Sequence, residues 1–241
     1  MNVDTLELEK FNALAERWWD PTGDFRPLHE INPLRANFIE QHIAKSGSGT
    51  LAGKRIVDIG CGGGILTEAL SHRGAKVTGI DMSEAPLNIA KQHAEQGALE
   101  IDYRLMTAES LAEQVEQEGE TAQYDVVTCL EMLEHVPDPA SVIAACARLC
   151  KPGGHLFFST INRNPKAYLF AIIGAEYLLK LLPKGTHDYP KFIKPSELAS
   201  WVRHAALTPC DTIGLHYNPL TKHYSLGRDV SVNYLMHATK P

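Results

Sequence analysis

The chain has 241 residues, 44% of them hydrophobic, and a formal net charge of −6 at pH 7. That length supports one substantial hydrophobic core, so we expect a single domain over residues 1–241. The acidic balance argues against broad contact with a nucleic-acid backbone, which needs a surplus of Lys and Arg on one face. We therefore expect no nucleic-acid partner.

The cysteines and the N-terminal segment both bear on location. The five cysteines form no Cys-x-x-Cys pair, which fits reduced thiols in a cytosolic protein. The N-terminal stretch MNVDTLELEK is acidic and lacks the basic start and apolar run of a signal peptide. A bacterial cytoplasm is the expected location.

Two helices are predicted before the first strand. Apolar residues recur at helical spacing through Leu6 to Trp19. Asn32 and Pro33 predict the N-cap and first residue of a second helix that ends near Lys45. Residues 1–45 are therefore expected to form an N-terminal helical lid.

Short β-branched or apolar runs then alternate with helical segments. These runs are RIVDIG, AKVTGID, IDYRL, YDVVTCL and HLFFSTI. Such alternation predicts an α/β fold with a Rossmann-like, doubly wound, mostly parallel sheet, whose core we expect over residues 50–161. Two later alternating segments, DTIGLHY and VSVNYLMHA, predict an antiparallel pair at the sheet edge.

The rhythm breaks after strand five, where residues 163–194 predict a helical, basic insertion. This segment contains six Lys or Arg and two acidic residues. Its apolar helix is flanked by Lys166, Lys180 and Lys184, and it is too short to span a bilayer. Residues 166–184 therefore suit an anionic membrane surface, which predicts peripheral association with the inner face of the membrane. The alternative is a lid helix packed on the active site.

A glycine-rich turn, Val57 to Gly64, leaves the first strand and enters a helix. Glycines there allow the backbone to approach a ligand at the carboxyl end of the sheet. The dinucleotide fingerprint requires a glycine at its sixth position, where this chain has Ile65, so a ligand without phosphates is favoured. Asp81 ends the second strand, where a carboxylate can accept hydrogen bonds from both ribose hydroxyls. A tight structural turn is the alternative.

Three segments together resemble the class I S-adenosylmethionine methyltransferases: VDIGCGGG, GIDMS and KPGGHLFFST. The resemblance covers about residues 50–165. It implies S-adenosyl-L-methionine as the cofactor, with Gly60 and Gly62 near its methionine moiety and Asp81 on its ribose. It also implies that Ala108 and Glu109 lie near the adenine and that Leu130 lines the pocket.

A cluster of Glu131, Glu134 and His135 follows strand four. Positions i, i+3 and i+4 face the same side of a helical turn, so two carboxylates and an imidazole could hold Mg²⁺. A similar Glu-x-x-Glu-His set binds metal in small-RNA 2′-O-methyltransferases, with a further His from elsewhere. His187 is the candidate here for that further catalytic or ligand group. Alternatively, Glu134 and His135 are capping or solvated residues, or His135 is a lone general base.

Segments outside the shared core resemble the ubiquinone-biosynthesis O-methyltransferase family almost end to end. They are RWWDP, FRPLH, INPLR, STINR, PKGTHD and GLHYNP. The resemblance implies a polyprenyl phenol or quinol substrate, such as a catechol or demethylubiquinol, and possible contact with other ubiquinone-biosynthesis proteins. It also implies that Arg35 contacts the cofactor, as a guanidinium paired with its carboxylate would.

Three other functions compete with this interpretation. An NAD-dependent oxidoreductase would have the same kind of α/β fold, but Ile65 and the KPGG loop disfavour it. A metal-dependent methyltransferase acting on another hydroxyl substrate such as RNA is disfavoured by the acidic balance. A non-catalytic lipid-binding or assembly protein that retains the cofactor pocket would show no turnover.

Overall fold

Strands and helices alternate along the part of the chain that the computed structural model describes, residues 2–47, 49–119, 123–168 and 189–241. The helices are α1 (Thr5–Leu14), α2 (Arg26–Lys45), α3 (Ile65–Ser71), α4 (Glu84–Gln96), α5 (Ala108–Gln117), α6 (Pro139–Leu149), the short α7 (Pro165–Ala167) and α8 (Pro195–His204). The strands are β1 (Arg55–Ile59), β2 (Lys76–Asp81), β3 (Asp102–Leu105), β4 (Tyr124–Leu130), β5 (Cys150–Ile161), β6 (Thr208–Asn218), β7 (His223–Gly227) and β8 (Asn233–Thr239).

All of these strands belong to one sheet, in the order β3-β2-β1-β4-β5-β8-β6-β7. Strands β1 to β5 pair in parallel, whereas β8 runs antiparallel to β5 and to β6. The strand order reverses between β1 and β4, and ligands of open α/β sheets bind outside the carboxyl ends of the strands at such a point. The predicted α/β architecture is confirmed.

The antiparallel edge contains one strand more than the sequence predicted. Strand β7, sequence HYSLG, pairs with β6 alone and is half-exposed or exposed throughout. Polar and apolar residues do not alternate cleanly in it, since it has no buried face to pattern. The predicted pair is therefore a three-stranded antiparallel unit.

Helix α2 begins at Arg26, seven residues before the predicted first residue Pro33, which lies inside it. Pro27 occupies the first turn, where a proline is well tolerated. Asn32 does not cap a helix, because its side-chain Nδ2 donates to the carbonyl of Ile65, 2.9 Å away. The predicted N-cap at Asn32 is therefore wrong: tertiary contact with the glycine loop determines the role of this side chain.

Alternate side chains of the central strands enter two cores on opposite faces of the sheet. On β1, Ile56 packs with the α2 and α3 side, whereas Val57 packs with the α5, α6 and α8 side. Phe157 and Phe158 divide in the same way on β5. This two-sided burial fixes the strand register, since a one-residue slip would exchange the two faces.

The N-terminal layer lies against the carboxyl end of the sheet. The predicted helix from Leu6 to Trp19 is shorter in the structure, where α1 ends at Leu14 and a 3-10 helix follows at Ala15–Arg17. The predicted basic insertion lies mostly at residues 169–188, outside the described residues. Within the described part of the chain, no helix is long and apolar enough to cross a membrane.

Candidate active site

A cavity of about 770 Å³ opens at the carboxyl ends of β1, β2 and β4. Its volume falls in the range of small-molecule sites. Residues of α1, α2 and the antiparallel strands complete its wall. The predicted site residues that line it are Arg35, Gly60, Gly62, Asp81, Ala108, Glu109, Leu130, Glu131, Glu134 and His135. His187 lies outside the described residues.

The glycine loop and Asp81 are joined directly. The backbone N–H of Gly62 donates to Asp81 Oδ2 at 2.8 Å, and that of Ser83 donates to Oδ1 at 2.7 Å. Burial raises the pKa of the Asp81 carboxyl, and these backbone donors oppose the increase. Each carboxylate oxygen has a further lone pair, so Asp81 can accept more hydrogen bonds from a ligand in the cavity.

Beneath the loop, Asp58 anchors the end of β1. Its carboxylate accepts from Thr67 Oγ1 and Thr128 Oγ1, each at 2.7 Å. Burial raises the pKa of Asp58 to about 6, against the lowering effect of the two hydroxyls. Because both oxygens are engaged by protein groups, Asp58 holds the loop in place from below.

Two adjacent tryptophans cover the same loop from above. A Cβ atom added to Gly62 would lie 2.3 Å from Trp18 Cζ2, and one added to Gly63 would lie 2.2 Å from Trp18 Cδ1. Trp18 also stacks on Phe25, with ring centroids 4.0 Å apart. Trp19 Nε1 donates to the Gly63 carbonyl at 2.8 Å. The N-terminal layer is thereby fixed to the glycine loop.

At the other end of the cavity, Ala108 and Glu109 begin α5. Glu109 Oε1 accepts from Asn2 Nδ2 at 3.0 Å and from Ser141 Oγ at 2.9 Å. Asn2 also donates to the carbonyl of Asp138 at 2.7 Å. The start of the described chain therefore closes this end of the cavity, where the resemblance implies the adenine.

Arg35 and Glu131 form a buried ion pair in the cavity wall. Arg35 Nη2 donates to Glu131 Oε1 at 2.7 Å, and Arg35 is only 5% exposed. Its Nε is buried and has no hydrogen-bond partner among the described residues. A buried donor without a partner is costly, so this guanidinium retains capacity for a second anionic group.

Glu131 is held by a set of donors and by an unusual backbone. Ser159 Oγ donates to Glu131 Oε1 at 2.6 Å, and Asn233 Nδ2 donates to Oε2 at 3.1 Å. Its φ of +53° lies in the left-handed region, which is uncommon for a residue with a Cβ. Strain of this kind persists only where surrounding contacts determine it, and it concentrates at functional sites.

Glu134 points into a different environment. Thr160 Oγ1 donates to its Oε2 at 2.8 Å, whereas Oε1 is buried without a partner in the described part of the chain. Burial and the nearby Glu131 carboxylate raise the pKa of Glu134.

The expectation that Glu131, Glu134 and His135 face one side of a helical turn is wrong. The left-handed backbone at Glu131 precedes a 3-10 helix of three residues, Leu133–His135, so α-helical spacing does not apply. The three side chains bind three different groups instead: Arg35, Thr160 and Glu7. Across residues 2–47, 49–119, 123–168 and 189–241, no three His, Cys, Asp or Glu side chains converge as metal ligands. The donor set does not fit a metal ion in this arrangement.

His135 forms a pair with a carboxylate from α1. Its Nδ1 lies 2.9 Å from Glu7 Oε2, and Phe11 contacts the ring edge-on at 5.1 Å between centroids. Burial alone would lower the pKa of His135, but the hydrogen-bonded Glu7 carboxylate and the nearby Glu134 and Glu131 carboxylates together outweigh it, and the pKa is raised. The hydrogen bond from His135 lowers the pKa of Glu7 to about 2. Glu7 is therefore an acceptor only, and Nδ1 carries the proton.

Sequence reasoning did not single out Glu7, Ser159 or Asn233, although all three contact predicted site residues. Glu7 lies in the first turn of a helix, where an acidic residue is ordinary. Ser159 was visible as the end of a strand next to the switch point, which is the one signal available. Asn233 lies more than 100 positions from Glu131 along the chain and gives no local signal.

Comparison with known proteins identifies the family of the chain. A methyltransferase-domain family model matches residues 33–209. The ubiquinone biosynthesis O-methyltransferase of Stutzerimonas stutzeri (strain A1501) is 64% identical over 239 residues, which cover 99% of this chain and 98% of that protein. The protein of the same name from Acinetobacter baylyi is 62% identical over 241 residues, covering 100% of this chain and 97% of the relative.

Solved structures agree on the fold. The magnesium protoporphyrin IX methyltransferase of Synechocystis PCC 6803 with bound SAH superposes with a TM-score of 0.70 at 19% identity, over 98% of this chain and 99% of that one. At this identity the likeness concerns the fold alone. The relatives of higher identity decide the assignment: the chain belongs to the ubiquinone biosynthesis O-methyltransferase family of S-adenosylmethionine-dependent methyltransferases.

Proposed function

We propose that this chain O-methylates a ring hydroxyl of polyprenylated catechol and demethylubiquinol intermediates in ubiquinone biosynthesis. The observation that carries the proposal is a single cavity that joins the glycine loop and Asp81 to the imidazole of His135. Apolar side chains, among them Phe11 and Leu28, line the space between them. The names of the relatives supply the class of ring substrate.

The residues present fit the cofactor of the family. Asp81 would hold the ribose hydroxyls, and Gly60 and Gly62 would let the backbone approach the methionine moiety. A Cβ at Gly60 would come within 2.5 Å of Met132 Cγ, so only glycine lets the loop pass this close to that side chain. The unpartnered Arg35 Nε supports a contact with the cofactor carboxylate.

Two further contacts complete the proposed cofactor site. Ala108 and Glu109 would border the adenine, and Leu130 would pack against the cofactor from the end of β4. The N-terminal layer, residues 1–45, would act as the lid, with residues 50–161 as the cofactor-binding core. Its contacts through Asn2 and Trp18 to that core support the division.

The reaction requires that the substrate hydroxyl be placed next to the methyl donor and that its proton be removed. S-adenosylmethionine, when bound, supplies a methyl group on a sulfonium. The substrate hydroxyl oxygen gains the methyl group and loses its proton, and the electron pair of the broken C–S bond stays on sulfur. A phenol with a pKa near 10 is about a thousandfold under-ionised at pH 7, a deficit of about 4 kcal/mol. His135 would offset it as the general base, through its Nε2.

A divalent cation is the alternative source of that activation. We keep Mg²⁺ at Glu131, Glu134 and His135 as a proposal supported by residue types alone; it would require these side chains to leave their partners. His187 is a second candidate for proton transfer or ligation. An alanine substitution at His187 tests it, since loss of turnover with cofactor binding intact is expected only if it acts in the reaction.

Association with an anionic membrane surface through residues 166–184 is a further part of the proposal. Its support is the charge of the segment, since Lys166, Lys180 and Lys184 flank an apolar run. Lys166 is already paired with Asp229 Oδ2 at 2.6 Å. Glutamine at Lys180 and Lys184 should weaken co-sedimentation with anionic vesicles, while glutamine at Lys91, an exposed residue of α4, should not. Equal sedimentation of both variants would contradict this part.

The test of the function is methyl transfer from labelled S-adenosylmethionine to a short-chain prenylated catechol, with and without a chelator. Turnover in chelator supports deprotonation by His135. Turnover that needs added Mg²⁺ supports the metal alternative. No turnover by a protein that binds the cofactor contradicts the proposed substrate class.

A further inference from the structure

Helix α1 buries a charged residue and exposes an apolar one, which is the reverse of the pattern expected of a helix that serves packing alone. Glu7 is 7% exposed, whereas its neighbour Leu6 is 67% exposed. Glu7 is the only buried residue of this ten-residue helix. Burying a charge costs free energy unless it is paired, and departures from the apolar-inside rule concentrate at functional sites.

The partners of Glu7 explain how the charge is tolerated. Oε2 receives the hydrogen of His135 Nδ1. Oε1 receives hydrogen bonds from Lys10 Nζ at 3.1 Å and Lys191 Nζ at 3.3 Å. Lys191 also binds Asp4 Oδ2 at 2.9 Å, so the carboxylate is held from α1 itself and from the segment before α8. Both oxygens are engaged, and the carboxylate cannot rotate away from the imidazole without losing contacts.

The same helix also sets the plane of the imidazole. Phe11 lies one helical turn after Glu7 and meets the His135 ring at an interplanar angle of 83°. Nε2 of His135 has no hydrogen-bond partner among the described residues and is not among the buried unpartnered atoms. With the proton fixed on Nδ1, the lone pair of Nε2 is the free hydrogen-bonding position of the ring.

We propose that Glu7 is the positioning residue of His135: it fixes the ring tautomer and orientation in which Nε2 accepts the proton of the substrate hydroxyl. This inference rests on the proposed function for its substrate. The carboxylate belongs to the N-terminal lid and the imidazole to the core, so the base is complete only while α1 is docked. In comparable carboxylate–histidine pairs, loss of the carboxylate lowers the rate by misplacing the ring proton.

The experiment compares Glu7→Gln with Glu9→Gln, a change of the same kind at an exposed position on the same helix. Both are assayed on a prenylated catechol and on its nitro-substituted analogue, whose hydroxyl is largely ionised without a base. We expect Glu7→Gln to lower kcat on the ordinary catechol about 10²-fold to 10³-fold, with KM and cofactor affinity within about twofold. The loss on the nitro analogue should be less than about fivefold, and Glu9→Gln should match the unmodified chain. Equal losses on both substrates, or no loss, would overturn the inference.

A second measurement decides the inference without turnover. Nitrogen-15 NMR of the unmodified protein, recorded at a pH where the ring is neutral and with the His135 signal assigned from a His135→Gln variant, should show Nδ1 protonated and Nε2 bearing the lone pair. Glu7→Gln should give a mixture of tautomers. A neutral ring protonated on Nε2 in the unmodified protein would refute the role of Glu7. If the tautomer is as expected but the catechol is not methylated, the proposed substrate fails and the positioning role stands.

Discussion

Replacing glycines of the loop beneath Trp18 with alanine should separate two effects. One is the steric conflict between a Cβ atom and the Trp18 ring, and the other is the strain of a positive φ. Gly62 has a φ of +52° and would place a Cβ 2.3 Å from the Trp18 ring. Gly63 has the same steric conflict, at 2.2 Å, without a positive φ. Gly53 has a φ of +73° and open space around it. The three positions therefore represent both effects together, the steric effect alone and the backbone effect alone.

The magnitudes follow from these contacts. A side chain at a left-handed position costs about 1–2 kcal/mol, and overpacking a buried site costs about 1–3 kcal/mol. We therefore expect the free energy of unfolding to fall by about 1 kcal/mol for Gly53→Ala. It should fall by about 2 kcal/mol for Gly63→Ala and about 3–4 kcal/mol for Gly62→Ala. Cofactor affinity should fall in the last two variants only, because Trp18 must move off the loop.

Urea unfolding and titration calorimetry measure these two quantities. The decisive comparison repeats Gly63→Ala in a Trp18→Ala background, where the conflicting ring is absent. The cost of Gly63→Ala should then nearly vanish, which corresponds to a coupling free energy of about 1–2 kcal/mol between positions 18 and 63. If Gly63→Ala is equally destabilising in both backgrounds, the contact with Trp18 is not the reason for glycine at this position.

Three other changes test separate parts of the structure. Asp81→Ala should weaken cofactor binding at least about 100-fold in calorimetry, since a buried site then loses its main acceptor; unchanged affinity would contradict the assignment. Glu131→Gln should lower the free energy of unfolding by about 2–4 kcal/mol because Arg35 loses its charged partner, and a neutral result in urea titration would show that the pair is dispensable. Burial, with His42 and His155 nearby, lowers the pKa of His237 to about 3, and the Asp211 carboxylate opposes this. The unfolded chain therefore binds the proton first, so stability should fall by about 2 kcal/mol between neutral pH and pH 5, a loss that His237→Phe should remove.

The parallel part of the fold was predictable because its central strands are buried on both faces. Runs such as YDVVTCL contain a continuous apolar signal, and the glycine turn and Asp81 mark the ends of β1 and β2. Strand β7 lacked this signal, since it is an edge strand with little burial. Helix α2 was misjudged at its start because Asn32 binds the carbonyl of Ile65 instead of capping a helix.

Many residues of the candidate site were predictable from the sequence, but the contacts between them were not. The spacing of Glu131, Glu134 and His135 suggested convergence, and the left-handed backbone at Glu131 redirects that side chain to Arg35. The Glu7 contact spans 128 positions and joins two elements with no shared sequence pattern. Local propensity carries no information about such a contact, which depends on how the N-terminal layer docks.

Because Trp18 and Trp19 cover the glycine loop, their intrinsic fluorescence can serve as a probe of that loop. The chain has three tryptophans, and these two contact Gly62 and Gly63, whereas Trp201 lies on α8. Trp19 also stacks on the His93 ring, with the ring centroids 3.5 Å apart. The intrinsic fluorescence of the protein should therefore report on the cofactor loop more than on any other region, so cofactor entry can be followed in real time without a label.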